Sequence, residues 1–558
     1  MKKENYELKE SSNEEDNNPK MFSITPGLDL NKIPYDVSDP IKREHEEKQV
    51  IEVFKTPMRR EVEKSLNLQM ILENIKPIDY REVKFGDDYM VLKNQYENAH
   101  GDDKKSLLDK IMNMKVELDE QIVILTEHLL LKSEEKCLSL GFYNGQFYLF
   151  NGKYWKSLES DPLKLEFLGM VSEKSGLPPY IVRQKQVKNK LLDQFISTCS
   201  LPDVSHNVNE IKINFNNGTF IFANGKGSLH EYRKDDYLFY CLGFDYDPNA
   251  KAEVWQKFLD RVLPDPLCQD VLMEFIGYIF LKLNLAKGLI LLGTGANGKS
   301  VINTIVEKIV GSENMCGYTL PKLCDSNGYT RAVLSNKMVN FSDEIGKGKY
   351  DHDTWKKLVS GGHIEARLPY GIPFMLENNC KFIFNANILP IAEGTHGFFR
   401  RMIIIPFNVT ISEEEQDIEL ADKICSTDLP GIFNLVLEGM MRLVTKKRFT
   451  QSTIIDSMVS KYKKESDSVS LFIEDEQWIV STENSRLLKD FYSLYRQYCN
   501  ENGSFPLSNR KFSERLKLLG FKVLPGANHY THVWCQKKTD IPKLDIDIVK
   551  SFLKSSTQ

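Results

Sequence analysis

Apolar positions change their period several times along this chain, and each change marks a candidate boundary. Residues 1–50 carry few large apolar side chains among Glu, Asn, Lys and Pro, a pattern expected of a disordered or loosely attached tail. Residues 51–137 show helical spacing, as in Leu107, Leu108, Ile111, Met114 and Leu118, then Ile122, Ile124 and Leu125, which predicts a small helical module. From 138 to 250 short apolar runs flank Asn-Gly pairs. Phe142–Gly152 turns at Asn144-Gly145, and Ile211–Phe222 repeats the pattern at Asn217-Gly218. Each reads as a β-hairpin, so this stretch is expected to be an α+β region. Between Val254 and Leu285 the period is helical again, through Trp255, Phe258, Leu259, Val262, Leu272, Phe275, Ile276 and Ile279.

Gly288–Leu292 is a short apolar run with the character of a buried strand. Gly293-Thr294-Gly295-Ala296-Asn297-Gly298-Lys299-Ser300 follows at once, and Val301, Ile302, Ile305, Val306, Ile309 and Val310 then recur at helical spacing. Strand, glycine-rich loop and helix form the context of a P-loop. In such a loop backbone N–H groups approach the phosphates and the helix N-terminus favours negative charge. Lys299 would pair with the β- and γ-phosphates of ATP, and the Ser300 hydroxyl would ligate Mg²⁺.

Three downstream strands extend that site. Lys337–Ser342 ends in Asp343 and Glu344. Asp343 suits the outer coordination of Mg²⁺, and Glu344 suits polarising the attacking water. Lys381–Ala386 ends in Asn387, whose amide could position the water or contact the γ-phosphate. Arg400 and Arg401 abut the apolar run Met402–Pro406, and a forked, permanently charged guanidinium suits a developing phosphoryl charge.

Composition narrows the class. The 558 residues are 41% hydrophobic and 27% charged, which allows ordinary cores in several domains. No apolar stretch reaches membrane-spanning length, and the polar start Met1-Lys2-Lys3-Glu4-Asn5 is unlike a secretory signal. The ten cysteines are scattered without C-x-x-C spacing, so neither a zinc ribbon nor a disulfide framework is expected, and a cytoplasmic location is. The net charge of −5 is uninformative, but residues 484–538 hold ten Lys/Arg against three acids. A basic block of this kind is either a solvated helix face or a footprint for phosphates.

The order and spacing of the P-loop, Asp343-Glu344, Asn387 and Arg400-Arg401 resemble superfamily 3 helicases of the AAA+ class. The nearest resemblance is to the primase-helicase type of phages, plasmids, mobile genomic islands and poxviruses, and it covers about residues 140–540. Joined to the readings above, it implies a multidomain α/β chain: tail 1–50 and helical module 51–137 from their own patterns, then an α+β domain 138–250, an AAA+ P-loop ATPase with helical lid 251–465, a winged-helix domain 466–540 and a tail 541–558. It also implies that Trp355–Arg367 with Leu368–Leu376 forms a β-hairpin gripping DNA in a ring channel, with Arg367 and Tyr370 near its tip. Arg401, with Arg400 second, becomes the arginine finger offered to a neighbouring subunit. Ser508 would cap a DNA-reading helix carrying Arg510, Lys511, Arg515 and Lys517.

The activity implied is that of a homo-hexameric, Mg²⁺- and ATP-dependent DNA helicase and replication initiator of a mobile element. Single-stranded DNA would lie in the channel and duplex origin DNA on the C-terminal domain, with 3′→5′ movement and no membrane partner. The alternatives are a primase-helicase, an ATP-switched origin binder with little unwinding, and a packaging ATPase. Residues before the family-like region offer no D-x-D with a later His, which disfavours primer synthesis.

Overall fold

The computed structural model describes residues 62, 65–143, 145–158, 161–202, 210–223, 226–346, 348, 350–369, 371–390, 396–504, 506–526 and 529–540. The chain divides into two units, Met1–Gln69 and Met70–Gln558. In the first, the described residues show only the start of a helix at Leu66. The readings of the tails 1–50 and 541–558, and of Tyr370, lie outside the described residues.

The second unit opens with helices α1 (Tyr80–Asn98), α2 (Gly101–Asn113) and α3 (Leu118–Glu134). The α3 start is fixed by a reciprocal capping box between Glu117 and Glu120. Next come two antiparallel three-stranded sheets. The first is β1 (Ser139–Tyr143), β2 (Gln146–Phe150) and β3 (Trp155–Ser157), followed by α4 (Asp161–Lys174) and α5 (Lys185–Cys199). The second is β4 (Glu210–Phe215), β5 (Gly218–Ala223) and β6 (Lys226–His230). Both expected hairpins form, the first with Tyr143 opposite Gln146; in the second Phe215 lies opposite Gly218, so the turn is Asn216-Asn217 and Gly218 already belongs to β5 rather than to the turn.

Helices α6 (Glu253–Val262) and α7 (Pro266–Ile279) lead into a five-stranded parallel sheet. Its strands are β7 (Gly288–Leu292), β8 (Met315–Cys316), β9 (Val339–Ser342), β12 (Lys381–Ala386) and β13 (Met402–Pro406), in the order β13-β7-β12-β9-β8. All its pairings are parallel. Successive side chains of a strand face opposite ways, and β7 uses both faces. Leu289 and Leu291 join a core with α6, α7 and α8 (Lys299–Val310). Ile290 joins the other, with Trp355, Phe382 and Phe384. A parallel sheet covered on both faces therefore reads as a continuous apolar run in sequence.

Between β9 and β12 the chain forms α9 (His352–Val359) and a two-stranded hairpin, β10 (His363–Ala366) with β11 (Phe374–Glu377). The expected hairpin is thus shorter than Trp355–Leu376. Trp355 sits on α9, fully buried against Phe382 and Phe384, because its indole is the large apolar group that fills that face of the sheet. After β13, helices α10 (Leu420–Thr427), α11 (Leu429–Lys446) and α12 (Thr453–Glu465) complete the region. Glu274 of α7 is wholly buried, and it accepts from Arg442 Nε at 2.9 Å, Thr450 N at 2.8 Å and Thr450 Oγ1 at 2.6 Å, which satisfies its charge.

The polar stretch Lys461–Ser470 forms the end of α12 and the start of α13 (Ser468–Asp475). Tyr462 buries its ring there and donates to Pro390 O at 2.6 Å. The C-terminal elements follow as β14 (Trp478–Leu487), α14 (Leu488–Glu501), α15 (Asn509–Leu518), β15 (Val523–Pro525) and β16 (Thr531–Lys537). Their antiparallel sheet has the order β14-β16-β15. Tyr495 and Phe512 stack with centroids 4.5 Å apart and hold α15 against α14. Strand β14 was not expected from the sequence.

Candidate nucleotide site

The loop Gly293–Ser300 leaves the C-terminal end of β7 and enters α8, as the motif requires. Gly295 and Gly298 have φ of 118° and 81°, conformations that glycine adopts without strain, while Ala296 between them takes φ of 47° despite its Cβ. Gly293 is demanded by space as well. A Cβ there would lie 2.2 Å from Asn297 Nδ2 and 2.6 Å from Phe407 O. Asn297 is buried and donates to Phe407 O at 3.2 Å. Its Oδ1 accepts from Lys299 Nζ at 2.8 Å, and Gly293 O accepts from the same amine at 2.6 Å. Burial pushes the Lys299 ammonium below its ordinary pKa. An anion beside it would recover what desolvation costs.

Asn387, just past β12, brings its Oδ1 to 3.5 Å from Lys299 Nζ. Asp343, just past β9, is exposed and accepts from Asn303 Nδ2 at 2.7 Å. The structure therefore gathers Lys299, Asn387 and Asp343 at the carboxyl ends of three adjacent parallel strands, where open α/β sheets take their ligands. Glu344 follows Asp343 and is exposed, and its carbonyl accepts from Ser342 Oγ at 2.7 Å.

Asn303 was not anticipated. It lies three residues after Ser300 on α8, so the two share a helix face. Its amide N–H holds one Asp343 oxygen, while its own Oδ1 is buried with no protein partner. An orphaned acceptor beside a carboxylate and the Ser300 hydroxyl fits a hydrated divalent cation. Among the described residues no cluster of three His, Cys, Asp or Glu could hold a metal by itself.

Arg400 and Arg401 lie elsewhere. They precede β13, and Arg401 O accepts from Gly288 N at 2.9 Å, at the amino end of β7. The five residues of β7 separate them from the P-loop, roughly 16 Å at strand rise. Arg401 is half-buried, donating to Gly397 O at 2.6 Å and Ser360 Oγ at 3.2 Å. Burial first, and the charge of Arg400 second, lower its pKa. Arg400 is exposed, and its carbonyl accepts from Lys287 Nζ at 2.6 Å.

At the hairpin, Arg367 is exposed and donates from Nε to Gly371 O at 3.0 Å. Its neighbours are apolar and open to solvent: Leu368 at 58%, Ile372 at 88% and Met375 at 61% exposure. On α15 the expected cap is present, Ser508 Oγ accepting from Lys511 N. Arg510 is exposed and pairs with Glu514 at 3.0 Å, and Lys511 and Lys517 are exposed. Arg515 differs. It donates from Nε and Nη2 to Asp467 Oδ2 at 2.8 and 2.5 Å, so its charge serves to dock α15 on the start of α13.

Comparison with known proteins gives two partial matches. Residues 143–264 match the family model described as D5 N terminal like, and residues 291–401 match a family of unknown function, DUF5906. No curated protein matches the chain. Among solved structures, the A form apo structure of the NrS-1 C terminal region-CTR is 14% identical, with a TM-score of 0.41 over 74% of this chain and 98% of that one. A second A form apo structure, of the same region numbered 305–718, gives 14% and 0.41 over 74% and 100%. A further apo structure gives 14% and 0.40 over 74% and 98%. Among the described residues no helix is long and apolar enough to cross a membrane.

Proposed function

We propose that this chain is an ATP-hydrolysing DNA helicase of the superfamily 3, AAA+ type, working as a homo-hexameric replication initiator of a mobile element. The observation that carries the reading is the meeting of Lys299, Asn387 and Asp343 at the ends of β7, β12 and β9, in a chain that also projects the β10–β11 hairpin. The strand order β13-β7-β12-β9-β8 agrees with an AAA+ core. The element order α13-β14-α14-α15-β15-β16 agrees with a winged helix, in which α15 would face duplex DNA. The D5 N terminal-like match before the P-loop supports the phage-type branch.

In this reading Lys299 binds the terminal phosphates and Asn387 orients the γ-phosphoryl end. Ser300 and Asp343 would hold Mg²⁺, which neutralises phosphate charge when bound. Glu344 takes a proton from the attacking water. The distance of Arg400 and Arg401 from their own P-loop supports a site completed by the neighbouring subunit. Hairpins turned into a ring channel would move a single strand, 3′→5′ by the family resemblance.

The test is unwinding of forked DNA with each tail labelled in turn. Wild type should separate the fork with ATP and Mg²⁺ and Lys299→Ala should not. A wild type that hydrolyses ATP yet never separates strands would leave the ATP-switched origin binder standing instead.

A further inference from the structure

Two short helices between β8 and β9, Leu320–Leu323 and Tyr329–Val333, take no part in the chemistry above, yet they touch both of its ends. Leu320 N donates at 2.9 Å to the carbonyl of Ile345, the residue after Asp343-Glu344. Ile345 N in turn donates to Asn385 O of β12 at 2.8 Å. The first helix therefore hangs from the loop that carries the hydrolytic carboxylates.

Its other end is tied by one cation. Arg331 is only 5% exposed. Its Nη1 donates to Leu323 O at 3.1 Å and to Asp325 O at 2.5 Å, and its Nε donates to Glu365 O of β10 at 2.8 Å. The Asp325 carboxylate stands 3.9 Å away and accepts from Asn327 N and Gly328 N, which shapes the turn between the helices. Gly328 O accepts from Arg367 N at 3.2 Å, and a Cβ on Gly328 would come within 3.0 Å of Arg331 Nη2. A buried guanidinium is costly unless its donors are satisfied. Here they are spent on carbonyls of two segments, the end of the short helix whose first residue bonds Ile345 and strand β10 of the hairpin, beside the Arg367 N–Gly328 O bond and a shared apolar core.

We propose that Arg331 is a positioning residue that makes the β10–β11 hairpin follow the end of β9, so that events at Asp343-Glu344 are transmitted to the hairpin. The inference rests on the helicase reading. A fork of three hydrogen bonds across two segments is stiffer than apolar contact alone, which permits sliding.

The experiment compares wild type, Arg331→Met and Arg331→Lys. ATPase is measured with and without a single-stranded oligothymidine, and amide exchange of residues 363–377 is measured with and without a non-hydrolysable ATP analogue. Arg331→Met should keep basal ATPase but lose DNA stimulation by about fivefold or more, the size of a usual coupling. Nucleotide should no longer alter hairpin exchange, and Arg331→Lys should restore part of both. If Arg331→Met melts early, Arg331→Lys decides through the same two ratios. Wild-type stimulation and wild-type exchange responses in both variants would overturn the proposal. A wild type whose ATPase ignores DNA would instead count against the helicase reading, while the exchange arm still judges Arg331.

Discussion

The separation of Arg400 and Arg401 from the P-loop leads to a mixing experiment with a numerical outcome. Both residues precede β13, at the end of the sheet opposite Lys299. If a finger from one subunit completes the site of the next, the interface is head-to-tail and each ATP site draws on two chains. Lys299→Ala spoils a site through its own loop. Arg400→Ala or Arg401→Ala spoils the neighbour's. In an equimolar, freely exchanging mixture, about one interface in four pairs an intact loop with an intact finger, given random assembly into rings. The mixture should therefore recover about a quarter of wild-type ATPase where each parent has almost none, provided the sites act independently. Steady-state phosphate release at fixed total protein reads this directly, with subunit exchange checked by fluorescence transfer between labelled parents. A mixture no more active than its parents, with exchange verified, would refute the shared site. Arg400→Ala is the cleaner partner because Arg401 also bonds Gly397 O and Ser360 Oγ within its own chain.

Three further outcomes follow from the same geometry. Glu344→Gln should retain nucleotide binding, by fluorescent-analogue titration, and slow turnover by about 10²- to 10⁴-fold, the range of general-base contributions. Gly293→Ala should abolish tight nucleotide binding by equilibrium dialysis, because its Cβ must displace Asn297, which holds Lys299. Lys381 gives a pH signature. It is buried beneath Tyr278, and burial pulls its pKa from 10.5 down to about 8, worth roughly 3 kcal/mol. Below pH 8 the folded protein bears that cost in full. Between about pH 8 and 10.5 the unfolded chain binds the proton that the folded chain has released, so stability rises with pH. Urea unfolding should show that rise in wild type relative to Lys381→Met, and parallel curves would disprove it.

Local patterns were legible in the sequence and distant contacts were not. Gly293–Ser300 could be found because a glycine loop between an apolar strand and an amphipathic helix is written in one stretch. Asp343 and Asn387 could be placed because each ends an apolar run, and parallel strands bring such ends together. Asn303 was missed because its partner is 40 residues away. Spacing three after Ser300 was the available signal. The resemblance assigns Trp355 to the hairpin, although its neighbours Leu358 and Val359 continue at helical spacing. Strand β14 is hidden in the sequence because Ser481–Arg486 is polar; Val480 and Ser485 pair with the consecutive Cys535 and Trp534 of β16, and the residues between them form a bulge. In the sequence Arg515 is one basic residue among several on α15, and its partner Asp467, 48 residues away, is legible only in the fold.

The hairpin carries a consequence of its own. Its tip offers water Leu368, Ile372 and Met375, while Arg367 is its one described cation. If the hairpin grips DNA as proposed, such side chains would act on base faces rather than on phosphates, and that contact would release few counterions and so depend little on salt. The exposed Arg510, Lys511 and Lys517 of α15 would act on phosphates, where every neutralised charge steepens the dependence on salt. Loading and travel would then answer to different solvents. A ring assembled in dilute buffer and shifted to high salt would stop starting on new duplex yet keep running on the strand it already encloses.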